Sequence, residues 1–135
     1  MIRPKLLLCA EGAVVDKMTN NVSAFNILEQ LNFRSLPVII PRMVILNVLE
    51  REKDDPVVWK GKLRIELSGT VLLDQPLEHN FGDLARSRNL LTLGGLPITQ
   101  PGVLETSLLE GEAKIITYKI DITMPPKVEV SQSLP

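Results

Sequence analysis

The sequence contains few of the residues on which metal sites, histidine-based catalytic sites and disulfide-linked folds depend. It contains a single cysteine, Cys9, so no disulfide can form within the chain, and a single histidine, His79, so no zinc site of the usual Cys/His type can be assembled. Aromatic residues make up only 4% of the chain, so the core must depend on Leu, Ile and Val. No apolar run approaches the ~20 residues of a membrane span.

The sequence also lacks a large excess of charge of either sign. The net charge is -1, and the densest basic stretch holds only Lys60, Lys62 and Arg64. Nucleic-acid-binding domains usually carry a basic face, so we expect no nucleic-acid partner. Near the N-terminus, the apolar run Leu6–Ala10 is shorter than the ~7–15 residues of a signal peptide. We therefore expect a cytoplasmic protein with no membrane contact, and a lone thiol at Cys9 fits a reducing compartment.

What the sequence does contain is alternation with a period of two residues, which is typical of strands with one buried face. In the segment 57–68, Trp59, Leu63 and Ile65 share one side, and Gly61 on that side suggests a bulge or a close backbone approach. The segment 113–122 alternates in the same way. The run 103–109 can fold back on it through Glu110-Gly111, which predicts a hairpin.

Other segments are less regular. Met43–Leu49 is apolar on both sides except for Asn47, which predicts a strand buried on both faces and followed by a solvated turn over 50–56. The segment 22–33 fits either a strand or a helix capped by Asn21, and we favour the strand because it completes a hairpin with the run 5–15, which has a bulge near Gly12. We expect short strands at 70–73 and 90–93, the second interrupted by Gly94-Gly95, and a loop with a short turn of helix at 77–85.

Short strands separated by turn signals predict an all-β fold, an antiparallel β-sandwich of about seven to nine strands over residues 1–123, with an extended tail over 124–135. The predicted core consists of Leu8, Val15, Phe25, Ile27, Val44, Leu46, Trp59, Leu63, Ile65, Leu93, Leu104, Tyr118 and Ile120.

Candidate chemistry is sparse. We interpret His79 as a surface-loop residue, since no nucleophile motif accompanies it, and Cys9 as a small buried apolar side chain. We therefore predict no catalytic residues, no cofactor and no metal site. Asp83, Arg86 and Arg88 form a candidate ligand or partner loop, although an internal ion pair between Asp83 and Arg86 is the simpler explanation and the one that we favour.

Four stretches resemble a family of short bacterial all-β proteins known only as a domain of unknown function. They are "LLLCAEGAVVD", "NVSAFNILEQLNF", "LPVIIPRMVILNVLERE" and "NLLTLGGLPITQPGVLETSLLEGE", and the resemblance spans residues 5–122. The resemblance implies an immunoglobulin-like sandwich. It implies no activity and no catalytic residues.

These observations favour a non-catalytic interaction or assembly module with a protein partner or a homo-oligomeric state. Self-association through an edge strand or the C-terminal tail is the leading hypothesis, and Val58 and Ile115 mark lightly protected candidate edges. The alternative is a small-ligand or carbohydrate-binding module that uses the loops at 83–88 and 94–97, although the chain has few aromatic side chains for stacking.

Overall fold

The computed structural model describes residues 1–125, and these residues form nine strands and no helix. The predicted tail over 124–135 lies largely outside the described residues. The strands are β1 (Arg3–Val15), β2 (Val22–Ile27), β3 (Gln30–Asn32), β4 (Val38–Glu50), β5 (Val58–Leu67), β6 (Thr70–Asn80), β7 (Arg86–Ile98), β8 (Gly102–Glu110) and β9 (Ala113–Thr123).

The strands form two sheets, which confirms the predicted all-β sandwich. One sheet has four strands in the order β2-β1-β4-β7, and the other has five in the order β3-β9-β8-β5-β6. All pairs are antiparallel except β3 with β9, which are parallel. The predicted hairpin at 103–122 is confirmed as β8 and β9, but it is central to its sheet, and so is β5. Neither Val58 nor Ile115 lies on an outermost strand. However, β3 covers only residues 121–123 of β9, and β8 covers only residues 62–67 of β5, so at both positions one strand edge has no strand partner among residues 1–125.

The segment 22–33 is extended, as predicted, and it changes sheets partway along. β2 pairs with β1 in the first sheet, and β3 pairs with β9 in the second. Three hydrogen bonds hold the crossing: the Leu28 amide donates to the Cys9 carbonyl (2.9 Å), the Asp121 amide donates to the Glu29 carbonyl (3.0 Å), and the Tyr118 hydroxyl donates to the Leu28 carbonyl (2.7 Å). The crossing therefore joins the two sheets along one side of the sandwich.

About half of the residues predicted for the core lie between the two sheets. Trp59, Leu63, Ile65, Leu104 and Ile120 are buried there, and Leu93 and Tyr118 pack against them. The remaining predicted core residues lie elsewhere. Val44 and Leu46 are buried on the opposite face of β4, Leu8 is half-buried, and Val15, Phe25 and Ile27 are exposed.

Two sequence-based boundaries are wrong because strand pairing overrides composition. The segment predicted as a loop at 77–85 is strand as far as Asn80, since β6 pairs with β5 along its whole length. The strand predicted at 90–93 runs from Arg86 to Ile98, because β4 offers a partner for all of it. Gly95 adopts a φ of 75° within that strand, where a side chain would be strained.

β1 is bent, and its bend shapes the outside of the protein. It pairs with β4 from Arg3–Glu50 to Ala10–Val44, and beyond Ala10 it pairs only with β2. β1 runs antiparallel to β4, so a straight β1 would carry the following turn towards Val38. The turn instead reaches Arg88, which lies opposite Val48 at the other end of β4.

The segment 11–27, which we call the β1–β2 hairpin, therefore folds back across the outer face of the four-stranded sheet. The inner face is filled by the core, so only the outer face is open to it. Burial supports this path, because Ala10, Val44 and Leu46 are 1%, 3% and 6% exposed although none belongs to the core between the sheets. The prediction that Met43–Leu49 is buried on both faces is confirmed, with Val48 half-buried, and the covering layer is the hairpin.

Glycines allow close packing at two places. Gly61 lies beneath the Trp59 ring and the Leu109 carbonyl, so the close backbone approach predicted there is confirmed, and the bulge in β5 falls at Ile65/Glu66 instead. Gly12 lies beneath the Phe25 ring. The β1 bulge predicted near Gly12 is found between Pro4 and Leu6.

Gly61→Ala should lower the free energy of unfolding by about 1–3 kcal/mol, because the added methyl group would overlap the Trp59 ring and a backbone oxygen in a packed core. Gly94→Ala is the matched control, since a Cβ atom added at Gly94 would lie 3.8 Å from the nearest atom, the Pro41 carbonyl oxygen, and the φ of Gly94 is not positive. Urea unfolding of both variants checks this, and equal effects would contradict the packing explanation.

Candidate functional site

The predicted ligand loop is brought together only in part. Arg86 and Arg88 lie two residues apart on β7, and their strand partners Glu50 and Val48 are on β4. Asp83 lies in the connection between β6 and β7 and borders a separate depression beside Arg51 and Lys53. The alternative ion pair with Asp83 is not formed, because the Arg86 Nε donates to Glu50 (3.1 Å).

Arg88 holds the tip of the β1–β2 hairpin. Its guanidinium donates to the Asn20 carbonyl (2.8 Å) and to the Asn20 side-chain oxygen (3.1 Å). Asn20 has a φ of 60°, a left-handed conformation that asparagine tolerates better than most residues. This two-pronged contact joins residues 68 positions apart in the chain.

A polar groove of about 480 Å³ opens beside this contact. Its walls include Arg86, Arg88, Ser87, Asn20 and Asn80. Both arginines already have partners, so a ligand in this groove would have to share or displace the bonds to Glu50 and Asn20. The groove can accept polar groups, but neither arginine is free to bind an anion without losing or sharing an existing hydrogen bond.

His79 is buried, with 1% of its surface exposed, and is not the surface-loop residue that composition predicted. Its position on β6 points it inward, since it alternates with Leu77 and Phe81, both of which are buried. Regular alternation over 77–81 is the sequence signal that could have placed it correctly. Its ring meets the Trp59 ring edge to face at 5.9 Å between centroids.

His79 is the middle member of a chain of hydrogen bonds that joins three polar side chains on three strands: Asn47, His79 and Ser87. The Nε2 atom lies 2.5 Å from the Asn47 Oδ1 atom, and the Nδ1 atom lies 2.8 Å from the Ser87 hydroxyl. An amide oxygen only accepts, so Nε2 carries the proton and Nδ1 accepts from Ser87. The predicted need of Asn47 for partners is met at its oxygen, while its Nδ2 atom has no partner among residues 1–125.

The order serine, histidine, asparagine invites comparison with a hydrolytic triad. In such triads a carboxylate orients the histidine and stabilises its positive form during the reaction. Here an uncharged amide occupies that place. Burial lowers the pKa of His79, and contact with the backbone of Ser87 partly opposes this effect. The arrangement therefore favours a neutral imidazole that links β6 of one sheet to β4 and β7 of the other.

Cys9 is fully buried and donates to the Thr106 hydroxyl at 3.5 Å. Burial raises the pKa of the Cys9 thiol to about 11, so the reactive thiolate is scarce near neutral pH. The prediction that Cys9 is a small buried side chain is confirmed.

The β1–β2 hairpin carries more exposed large apolar side chains than any other segment of the described residues. Among residues 1–125, five of the twelve large apolar side chains that are exposed belong to it: Val14, Val15, Met18, Phe25 and Ile27. Sequence reasoning missed this cluster because it assigned Val15, Phe25 and Ile27 to the core. Alternation shows that side chains share a face, but it does not show that the hairpin leaves its sheet.

Two further observations limit the chemistry of the described residues. Residues 1–125 contain no group of three or more His, Cys, Asp or Glu side chains placed to hold a metal ion. Over the same range, no helix has the length and apolar character needed to cross a membrane.

Comparison with known proteins adds no family. No protein-family model matches the chain, and no curated protein matches it either.

The buried His79 predicts how stability changes with pH. The folded state disfavours the charged imidazole, so below a pH of about 6.5 the unfolded chain binds more protons and the free energy of unfolding falls. His79→Gln removes this contribution. Relative to that variant, the wild-type protein should lose stability as the pH drops below about 6.5, by at most about 1.4 kcal/mol per pH unit. Urea unfolding from pH 8 to pH 5 checks this, and a constant difference between the two proteins would contradict it.

Proposed function

We propose that the protein is a non-catalytic assembly module that associates with a second copy of itself through the β1–β2 hairpin. The observation that carries this proposal is the exposed apolar cluster of the hairpin. Phe25 and Ile27 are 53% and 46% exposed on an edge strand, where a monomer would normally place polar groups.

The backbone of β2 supports pairing with another strand. β2 is the last strand of its sheet, so one of its edges has no strand partner among residues 1–125. Its sequence, Val22–Ile27, contains no lysine and no proline, although Asn26 near its end has a φ of 53° and departs from regular strand geometry. Antiparallel pairing with the same strand of a second copy would satisfy backbone groups on both copies and bring the apolar side chains together.

Charges at the two ends of β2 favour a second copy as the partner. Lys17 lies at the tip of the hairpin and Glu29 at its base, and neither forms an ion pair with residues 1–125. In an antiparallel two-fold arrangement, the tip of each hairpin lies beside the base of the other. Each Lys17 would then approach the Glu29 of the second copy.

The absence of catalysis is part of the proposal. The side chain that orients His79 is an amide, and the thiol of Cys9 is buried and protonated. The cytoplasmic location and the immunoglobulin-like form of the sandwich belong to the proposal as well. The first rests on the single buried thiol, and the second on sheets of four and five strands, the strand numbers of variable-type immunoglobulin domains.

Ile27→Lys should shift the protein from dimer to monomer, because it places a charge in the apolar contact and on the pairing edge. Val71→Lys is the matched control, since Val71 is 50% exposed, close to the 46% of Ile27, but lies on β6 of the other sheet. Light scattering after size-exclusion chromatography measures the mass. A wild-type protein that stays monomeric at high concentration, or equal effects of the two variants, would refute association through β2.

A ligand-binding module is the second candidate, and the groove beside Arg86 and Arg88 is the observation that favours it. A sugar or small anion bound there should raise the melting temperature in a thermal-shift screen. Arg88→Gln should abolish that rise. A screen without any stabilising sugar or anion would remove this candidate.

A further inference from the structure

A cleft opens where β1 leaves β4. The pairing of these strands ends at Ala10–Val44, but β4 begins earlier, at Val38, and stays paired with β7 there. The segment 38–43 of β4 therefore has no β1 strand beside it. A cleft of about 290 Å³ lies between this segment and the base of the β1–β2 hairpin.

The cleft has an apolar floor. Leu28 and Ile40 are buried, and Leu31 and Phe33 are half-buried against the core. These four side chains come from the sheet crossing, from β3 and the residue after it, and from β4. Phe25, Ile39 and Pro41 complete the apolar lining. An apolar floor of this kind suits a hydrocarbon group.

Two charged side chains line the mouth, Glu11 and Arg42. Glu11 accepts a hydrogen bond from the Asn26 amide and keeps its negative charge. Arg42 also lines the cleft, yet it forms no hydrogen bond or ion pair with residues 1–125. A guanidinium is a strong donor to carboxylates, and it lies here beside an apolar cavity.

We propose that this cleft binds a small amphipathic carboxylate, with its hydrocarbon part on the apolar floor and its carboxylate on Arg42. The cleft of about 290 Å³ is open to solvent and has room for a short hydrocarbon chain on its floor. We therefore choose an eight-carbon acid as the test ligand. The cleft shares Phe25 with the hairpin surface proposed above for self-association, but a test of ligand binding does not require the protein to self-associate.

Octanoate is the probe for this site, and octan-1-ol is its uncharged counterpart of equal chain length. Titrations followed by NMR of the methyl groups should show saturable shifts at Leu28, Leu31 and Ile40 with octanoate. Octan-1-ol should bind about ten- to a hundredfold more weakly, because it cannot form a charge-assisted bond. Arg42→Gln should reduce the octanoate affinity to that of octan-1-ol.

Two further variants control this experiment. Ile39→Trp places a larger group at the mouth and should weaken both probes, and Ile39 is already 62% exposed, so the fold should tolerate the change. Lys60→Gln removes one positive charge from the other sheet and should leave binding unchanged. The inference is overturned if octanoate produces no saturable shift at the three floor residues. It is also overturned if Arg42→Gln or a folded Ile39→Trp binds octanoate as the wild type does, or if Lys60→Gln weakens binding as much as Arg42→Gln.

Discussion

The end of the pairing between β1 and β4, at Ala10 and Val44, determines most of the exposed features of this protein. A strand that leaves its neighbour must find other partners for its backbone, and β1 finds them in β2. The resulting hairpin covers the outer face of β4, carries exposed apolar side chains on itself, and leaves a cleft behind it. Arg88 fixes the direction of the hairpin by holding its tip at the opposite end of the sheet.

Local alternation was sufficient to predict the sandwich and the strands β5, β8 and β9, because in a strand each side chain takes the face opposite to its neighbour's. Phe25 and Ile27 were assigned to the core on the same grounds and are exposed. Their exposure depends on the path of the hairpin, which is set by a contact between residues 20 and 88 that no local pattern contains. His79 was misplaced for a different reason: its polar neighbours suggested a loop, whereas pairing with β5 makes the segment a strand.

Buried polar residues pair with one another across the centre of the sandwich, although the Asn47 Nδ2 atom has no partner among residues 1–125. His79 donates a hydrogen bond to Asn47 and accepts one from Ser87, both in the opposite sheet, and Cys9 donates to Thr106 across the same interface. Apolar contacts have little directional preference, so they do not specify how one sheet is positioned over the other. The buried hydrogen bonds do specify this position. The hydrogen-bonded chain of Ser87, His79 and Asn47 therefore contributes to the packing between the two layers.

Phe25 occupies a position with a consequence for both proposals. Its ring lies on Gly12 within the hairpin and also forms part of the cleft wall. A molecule that repositions this ring from the cleft side also alters the strand whose edge is exposed. If a ligand in the cleft changes the affinity of the hairpin for its partner, thermodynamic linkage requires the converse. Binding of the partner to the hairpin then changes the affinity of the cleft for its ligand by the same factor.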